Sequence, residues 1–297
     1  MSQTIVINKV TLSNGETIGY REIGNGNKIL VLVHGNMTSS KHFEILMEEL
    51  KEDYKIYAMD LRGFGLSSYN ARINSLKDFS EDLKEWVDIL GLKRFSLAGW
   101  STGGGVIMQF AADHQEYVEK LVLIESVGIK GYPMFIKDEN GQPILTQQIK
   151  TREEIAADPI QVVPVLDAYA SKNKEYMKML WNMVIYTHNK PSEELYDEYV
   201  DDMFTQRNLV DVDYALVVFN ISEEHNGVVE GNSLVNKIEV PTLVLQGDRD
   251  YVVPRYMGEG IAEGIGENAK LVIIENCGHS PLVDAMPVLV KEIKEFI

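Results

Sequence analysis

The chain has 297 residues, 45% of them hydrophobic and 25% charged, which is enough to bury a large core in one domain or two. Its formal charge of -17 repels phosphate backbones and anionic headgroups, so nucleic acid is not an expected partner. One cysteine, Cys277, leaves no partner for an internal disulfide, and no stretch approaches the ~18 uninterrupted apolar residues of a membrane helix. The opening MSQTIVINKV lacks a basic segment followed by a long apolar one. No signal peptide or membrane insertion is therefore expected, and the expected location is the cytoplasm.

Strand and helix signals alternate from the start. Thr4 to Leu12 and Thr17 to Ile23 read as strands joined by the hairpin-type turn Ser13-Asn14-Gly15. Lys28 to Gly35 is a nearly continuous apolar run, as expected of a strand covered on both faces. A helix is expected over Ser40 to Leu50, a strand over Tyr54 to Asp60, and a helix over Ser75 to Leu90. In that last helix Leu76, Phe79, Leu83, Trp86, Val87 and Leu90 follow a helical period, and Gly91 is the stop. Phe95 to Gly99 reads as a strand, Ser101 to His114 as a helix and Lys120 to Glu125 as a strand. The rhythm returns with a strand at Pro241 to Asp248, a helix at Pro254 to Ile265, a strand at Ala269 to Asn276 and a last helix at Met286 to Ile297. Such alternation predicts an α/β fold with a parallel sheet and helices on both faces.

Between these two parts the texture changes. Aromatic and Met-rich stretches such as Lys174 to Tyr186 and Ser192 to Phe204 predict a mostly helical insertion. The expected division is a core domain of residues 1–126 and 238–297, with a helical cap over 127–237.

Within RFSLAGWSTGGGVIMQF (Arg94 to Phe110), Ser101 stands between a strand and a helix. A tight turn there holds a serine out over the sheet edge, and a side chain two residues to either side would clash. Gly99 and Gly103 fill those two positions. A serine hydroxyl needs a base to act as a nucleophile. The helix start behind it supplies the Thr102 N–H to a developing oxyanion. A phosphate-binding turn is excluded, because neither G-x-x-x-x-G-K-[ST] nor G-x-G-x-x-G is present.

His279, in NCGHSP, follows a strand and falls on the same sheet edge, which makes it the expected base. His34 sits in HGNM after a buried strand and is expected to organise its own loop. His42, His114, His188 and His225 are expected to be surface or cap residues. The base needs an orienting acid, and QGDRDYVVP places Asp248 and Asp250 at the correct edge. Asp250 has the longer reach; Asp248 suits a turn, and Glu125 is a third acid at the same edge. The loop after Val33 supplies the second oxyanion donor, with the Asn36 N–H ahead of that of Met37.

In sum the chain resembles the α/β-hydrolase family, over nearly its whole length. The resemblance is carried by HGN (His34 to Asn36), DLRGFGLS (Asp60 to Ser67), GWSTGG (Gly99 to Gly104), GDRDYVVP (Gly247 to Pro254) and GHSP (Gly278 to Pro281). It implies a mostly parallel sheet of about eight strands with a cap inserted after the sixth. It also implies the order nucleophile, acid, base for Ser101, Asp250 and His279, and favours Asp250 over Asp248. Relatives with an aspartate nucleophile, the epoxide hydrolases and haloalkane dehalogenases, are disfavoured by Ser101. The expected activity is cleavage of a neutral, apolar carboxylic ester or lactone through an acyl-enzyme, with no metal or organic cofactor. A carbon–carbon bond hydrolase acting on a diketone would use the same triad. It would also want a cation for substrate carboxylates, with Arg152, Arg207 and Arg255 as candidates. A small-molecule receptor that retains the triad is the non-enzymatic alternative. Met37, Trp100, Trp181 and Met183 are the expected substrate-binding residues. Phe135, Tyr176, Met177, Met179, Leu180 and Tyr186 are further apolar groups that pack either the pocket or the cap's own core. The sequence leaves the oligomeric state open.

Overall fold

A computed structural model describes residues 4–297; Met1–Gln3, the first residues of the segment read for a signal and of the expected core domain, lie outside it. Eight strands form the central sheet: β1 (Val6–Thr11), β2 (Thr17–Ile23), β3 (Lys28–Val33), β4 (Tyr54–Met59), β5 (Phe95–Trp100), β6 (Val118–Ile124), and, beyond the insertion, β9 (Thr242–Gly247) and β10 (Ala269–Ile274). Their spatial order is β1-β2-β4-β3-β5-β6-β9-β10. β2 runs antiparallel to β1 and β4, and the remaining pairs are parallel. The antiparallel start is set by the turn after β1, where Gly15 takes a φ of 83° that disfavours any side chain. β5 and β9 are buried along their full length, so even their polar residues Ser96, Thr242 and Gln246 are covered.

Helices cover both faces. On one lie α2 (Leu76–Ile89) and α3 (Thr102–Asp113), whose Phe79, Leu83, Trp86, Ile107 and Phe110 share a core with Val31, Val33 and Leu97 of the sheet. A capping box formed by Ser75 and Asp78 starts α2. On the other face α1 (Glu44–Leu50) and α11 (Met286–Phe296) bring Leu46, Met47, Leu289 and Ile293 against Leu30, Leu32 and Ala98. α9 (Arg255–Ile265) and the short α10 (Pro281–Asp284) complete the set around β9 and β10. Among the described residues no helix is long and apolar enough to cross a membrane.

Between β6 and β9 the chain forms β7 (Phe135–Lys137), β8 (Pro143–Gln148), α4 (Arg152–Ala156), α5 (Val163–Ser171), α6 (Lys174–Val184), α7 (Glu193–Met203) and α8 (Leu209–Val217). The helices at α6 and α7 match the sequence pattern. The antiparallel β7–β8 hairpin does not, because its strands are short and largely solvent-facing and lack an apolar alternation. Its turn is made by Asp138, whose Oδ1 accepts from the N–H groups of Asn140 and Gln142, and by Gly141 at φ 77°. α8 sits differently from the rest: Val212, Ala215 and Leu216 join the core of the sheet face that carries α2 and α3.

Two glycines with opposite surroundings test this packing. A Cβ on Gly103 would stand 2.1 Å from the carbonyl oxygen of Val33, so α3 meets β3 backbone to backbone. Gly103→Ala is expected to lower stability by roughly 1–3 kcal/mol or more through overpacking. Gly260, inside α9, has nothing within 4 Å of a built Cβ. Gly260→Ala is expected to raise stability by about 0.5–1 kcal/mol, since alanine favours a helix interior. Thermal unfolding of both variants reads the two signs side by side.

Candidate active site

Parallel pairing brings the C-terminal ends of β3, β5, β6, β9 and β10 to one edge: Val33 pairs with Gly99, Trp100 with Ile124, Ile124 with Leu245 and Gly247 with Ile274. Backbone strain collects there. Among the described residues, Met37 (φ 61°), Ser101 (φ 56°), Glu125 (φ 43°) and Asn276 (φ 54°) follow these strand ends in the left-handed region that non-glycine residues avoid.

Ser101 links β5 directly to α3 with φ 56° and ψ -119°. The turn closes only because its neighbours lack side chains. A Cβ on Gly99 would lie 2.6 Å from the Gly103 carbonyl oxygen, and one on Gly35 would lie 2.9 Å from Ser101 Cβ and 3.5 Å from its Oγ. The loop after β3 therefore rests on the serine itself.

His279 Nε2 lies 3.0 Å from Ser101 Oγ, and its Nδ1 lies 2.7 Å from Asp250 Oδ2. The indole Nε1–H of Trp100 donates to the His279 carbonyl at 2.8 Å, and the Gly278 N–H donates to Asp284 at 2.9 Å, so the loop carrying the imidazole is held from two sides. The other oxygen of Asp250 accepts from the N–H groups of Val252 and Val253 at 2.7 and 2.8 Å. Burial pushes the Asp250 carboxyl up, but the His279 imidazole and these donors outweigh it, and the net direction is down. Asp248 is occupied elsewhere. It accepts from the Cys277 N–H at 3.1 Å and so ties the β9 turn to the β10 turn.

Glu125, fully buried at the end of β6, stands behind this pair. It accepts from the Gly247 N–H at 2.6 Å and from Gln246 Nε2 at 2.8 Å, and the charge of Asp250 acts on it. Burial first, then the charge of Asp250, push Glu125 well above the usual carboxylate range. Of the two acids it is the one whose carboxyl is driven up, and Asp250 the one driven down.

His34 is buried and accepts from the Leu61 N–H through Nε2 at 2.9 Å, while Nδ1 donates to the Gly35 carbonyl at 2.8 Å. Burial lowers it to about 4, so it is a neutral brace of the loop. The Met37 N–H is taken by Asn36 Oδ1 at 3.0 Å. Among the described residues neither the Asn36 N–H nor the Thr102 N–H is a donor in a turn or loop hydrogen bond, which sets Asn36 ahead of Met37 as an oxyanion donor.

The expected substrate-binding residues separate. Trp100 is buried, with its ring centroid 5.9 Å from that of His279. Met37 is partly buried and packs against residues of the insertion. Trp181 is buried, 5.2 Å from Tyr186 and 5.8 Å from His42. Met183 is not brought to the site: it is 64% exposed on α6, on the helix side opposite the buried Met177 and Trp181. His42, expected at the surface or cap, is instead buried and stacked on Tyr199 at 4.1 Å, with Asp202 3.4 Å away. The three candidate arginines are engaged. Arg152 pairs with Asp211 and lies 3.9 Å over Tyr214, Arg207 donates to the Thr205 and Ser67 carbonyls, and Arg255 pairs with Glu259.

A polar network unforeseen from the sequence reaches the same loop. Tyr169 OH donates to Gln206 Oε1 at 3.0 Å, Gln206 Nε2 donates to Asn36 Oδ1 at 2.8 Å, and Asn36 Nδ2 donates to Asp213 Oδ1 at 2.9 Å. No local motif marks Gln206 or Asp213, and only the docking of α7 and α8 brings them to Asn36.

A sequence profile described as the alpha/beta hydrolase fold matches residues 28–285, and the chain belongs to that family. Among curated proteins it is 26% identical over 267 residues to a 2-hydroxy-6-oxononadienedioate/2-hydroxy-6-oxononatrienedioate hydrolase of Paraburkholderia phymatum, covering 88% of this chain and 84% of that one. It is 24% identical to a non-heme haloperoxidase of Rhodococcus erythropolis, covering 91% and 92% of the two chains. Among solved structures it resembles an esterase from Exiguobacterium antarcticum, with a TM-score of 0.74 and 20% identity over 98% of this chain and 99% of that one. The chain is thus an α/β hydrolase whose relatives include esterases and carbon–carbon hydrolases.

The protonated Glu125 has a thermodynamic signature. In the unfolded chain it ionises near the usual value of about 4.3. In the fold it keeps its proton well above that, so the folded state binds more protons over this interval. Its contribution to stability is therefore full below the unfolded pKa and is lost as pH rises through the folded one. Melting curves from pH 5 to 8 are expected to decline less steeply in Glu125→Gln, by at most about 1.4 kcal/mol per pH unit. Parallel curves would mean that Glu125 is ionised in the folded protein.

Proposed function

We propose that this α/β hydrolase cleaves a neutral carboxylic ester or lactone through a Ser101 acyl-enzyme. The observation that carries the reading is the continuous relay Asp250–His279–Ser101, with contacts of 2.7 and 3.0 Å around a serine strained at φ 56°. His279 takes the Ser101 proton as Oγ attacks the carbonyl carbon. Asp250 holds the Nδ1–H tautomer and stabilises the imidazolium. The Asn36 and Thr102 N–H groups receive the oxyanion of the tetrahedral intermediate. His279 then hands its proton to the leaving alcohol. Water repeats the sequence and releases the acid. No step calls for a cofactor.

In this reading residues 1–126 and 238–297 are the catalytic core and 127–237 the cap, with Met37 and Trp100 at the substrate. The carbon–carbon hydrolases among the relatives act, by their names, on dioates. The reading of this chain departs from theirs because Arg152, Arg207 and Arg255 are all engaged with protein groups, which supports a substrate without carboxylates. The solitary, buried Cys277, whose thiol burial pushes up, suits a reducing compartment such as the cytoplasm.

Hydrolysis of p-nitrophenyl esters from C2 to C12, with a lactone panel, tests the reaction. Ser101→Ala is expected to lower kcat by several orders of magnitude. Near-normal turnover in that variant would remove the acyl-enzyme. Asp250→Asn is expected to cost about 10⁴ in kcat through the wrong imidazole tautomer, and Asp248→Asn far less. Equal losses at the two aspartates would contradict the assignment of the acid.

A further inference from the structure

Asp213, on α8, is a carboxyl without a cation. Its Oδ1 accepts from Asn36 Nδ2 at 2.9 Å, and its Oδ2 accepts no hydrogen bond among the described residues. Oδ2 is not sealed by protein either, for Asp213 is only partly covered and this oxygen is absent from the buried, unpartnered atoms. The titratable groups around it are acidic or phenolic. Asp158, already paired with Lys137 at 2.7 Å, adds a repulsive charge, and Tyr132 and Tyr169 both sense Asp213. Burial, the first cause, and then Asp158, against the hydrogen bond from Asn36, place Asp213 at about 7. Tyr132 is pushed up to about 12 by burial first and then by the charges of Asp213 and Asp250.

The hydrogen bond to Asn36 places the Asp213 carboxyl beside the loop after β3. Asn36 carries the proposed oxyanion N–H, and its neighbour Gly35 packs against Ser101. Asp213 is therefore one side chain away from the atoms that would hold the substrate carbonyl.

Resting on the serine-hydrolase reading, we propose that Asp213 is a specificity-determining residue: its free Oδ2 binds a hydrogen-bond donor on the substrate, a hydroxyl or ammonium group, and repels a carboxylate. The substrate class narrows to esters or lactones that carry such a donor on the acyl chain. A partly covered acceptor discriminates too, because an analogue that lacks the donor leaves it without a partner from protein or substrate. A carboxylate at the same position adds charge repulsion.

The test compares p-nitrophenyl 6-hydroxyhexanoate with the p-nitrophenyl monoester of adipate, which differ at the far end of the acyl chain, and repeats the pair at one shorter chain length. The wild-type ratio of kcat/KM, hydroxy over carboxy, is expected to exceed about 30-fold at one of the lengths. In Asp213→Asn, which keeps the oxygen that accepts from Asn36, the ratio is expected to collapse at least tenfold, with the carboxylate ester rising in absolute kcat/KM. A ratio unchanged in the variant, or a parallel fall of both substrates, overturns the proposal. Asp213→Ala is the second variant, held to the same criterion. A binding measurement separates this outcome from failure of the serine mechanism. Calorimetry on the Ser101→Ala protein, which needs no turnover, is expected to show hexylammonium bound more tightly than hexanoate. Adding Asp213→Asn should abolish that preference, and equal Kd values before the change overturn the assignment. Hydrolysis that persists in Ser101→Ala, by contrast, strikes the mechanism and not the role of Asp213.

Discussion

The site depends on one constraint: the chain reverses from β5 into α3 within a single residue. Ser101 can hold φ 56° only while Gly99, Gly103 and Gly35 leave room for backbone to touch backbone. The same contact fixes the loop after β3, because Gly35 lies against Ser101. The proposed oxyanion donors are thus positioned by the feature that exposes the hydroxyl. Strain of this kind costs on the order of 1–3 kcal/mol per residue and persists where packing over-determines it. Here that packing is two buried strands and a helix that the sheet pins on one face.

Electrostatics gives the second layer. The serine edge is rich in buried acids and poor in free cations. His279 holds the Asp250 carboxyl down, while burial and the charge of Asp250 drive Glu125 up. Glu125 in turn braces β6 against β9 through the Gly247 N–H. Asp213 extends the acidic character into the region beside Asn36. The overall charge of -17 likewise disfavours an anionic substrate.

Much of this was legible in the sequence for a definable reason. Buried strands read as continuous apolar runs, and parallel pairing brings every strand's C-terminal end to one edge. Ser101, Asp250 and His279, each shortly after a strand, were therefore traceable without knowing the packing. The side-chain bond from Met37 N–H to Asn36 Oδ1, on which the proposed choice of Asn36 over Met37 rests, was not. The β7–β8 hairpin was missed because short, exposed strands carry no hydrophobic period. Met183 illustrates a different limit: composition marks α6 as apolar, but only packing shows that Met177 and Trp181 face inward while Met183 faces solvent. His42, Gln206 and Asp213 acquire their partners through long-range docking of the insertion, which local patterns do not encode.

The central claim is that His279 and Asp250 make Ser101 a nucleophile. The most direct measurement is covalent labelling with a fluorophosphonate, read by intact mass and peptide mapping, since it requires no knowledge of the substrate. The account predicts one adduct per chain, on the peptide containing Ser101, and its loss in His279→Ala. Labelling at another residue, no labelling of the wild-type protein, or an unchanged rate in His279→Ala would contradict it.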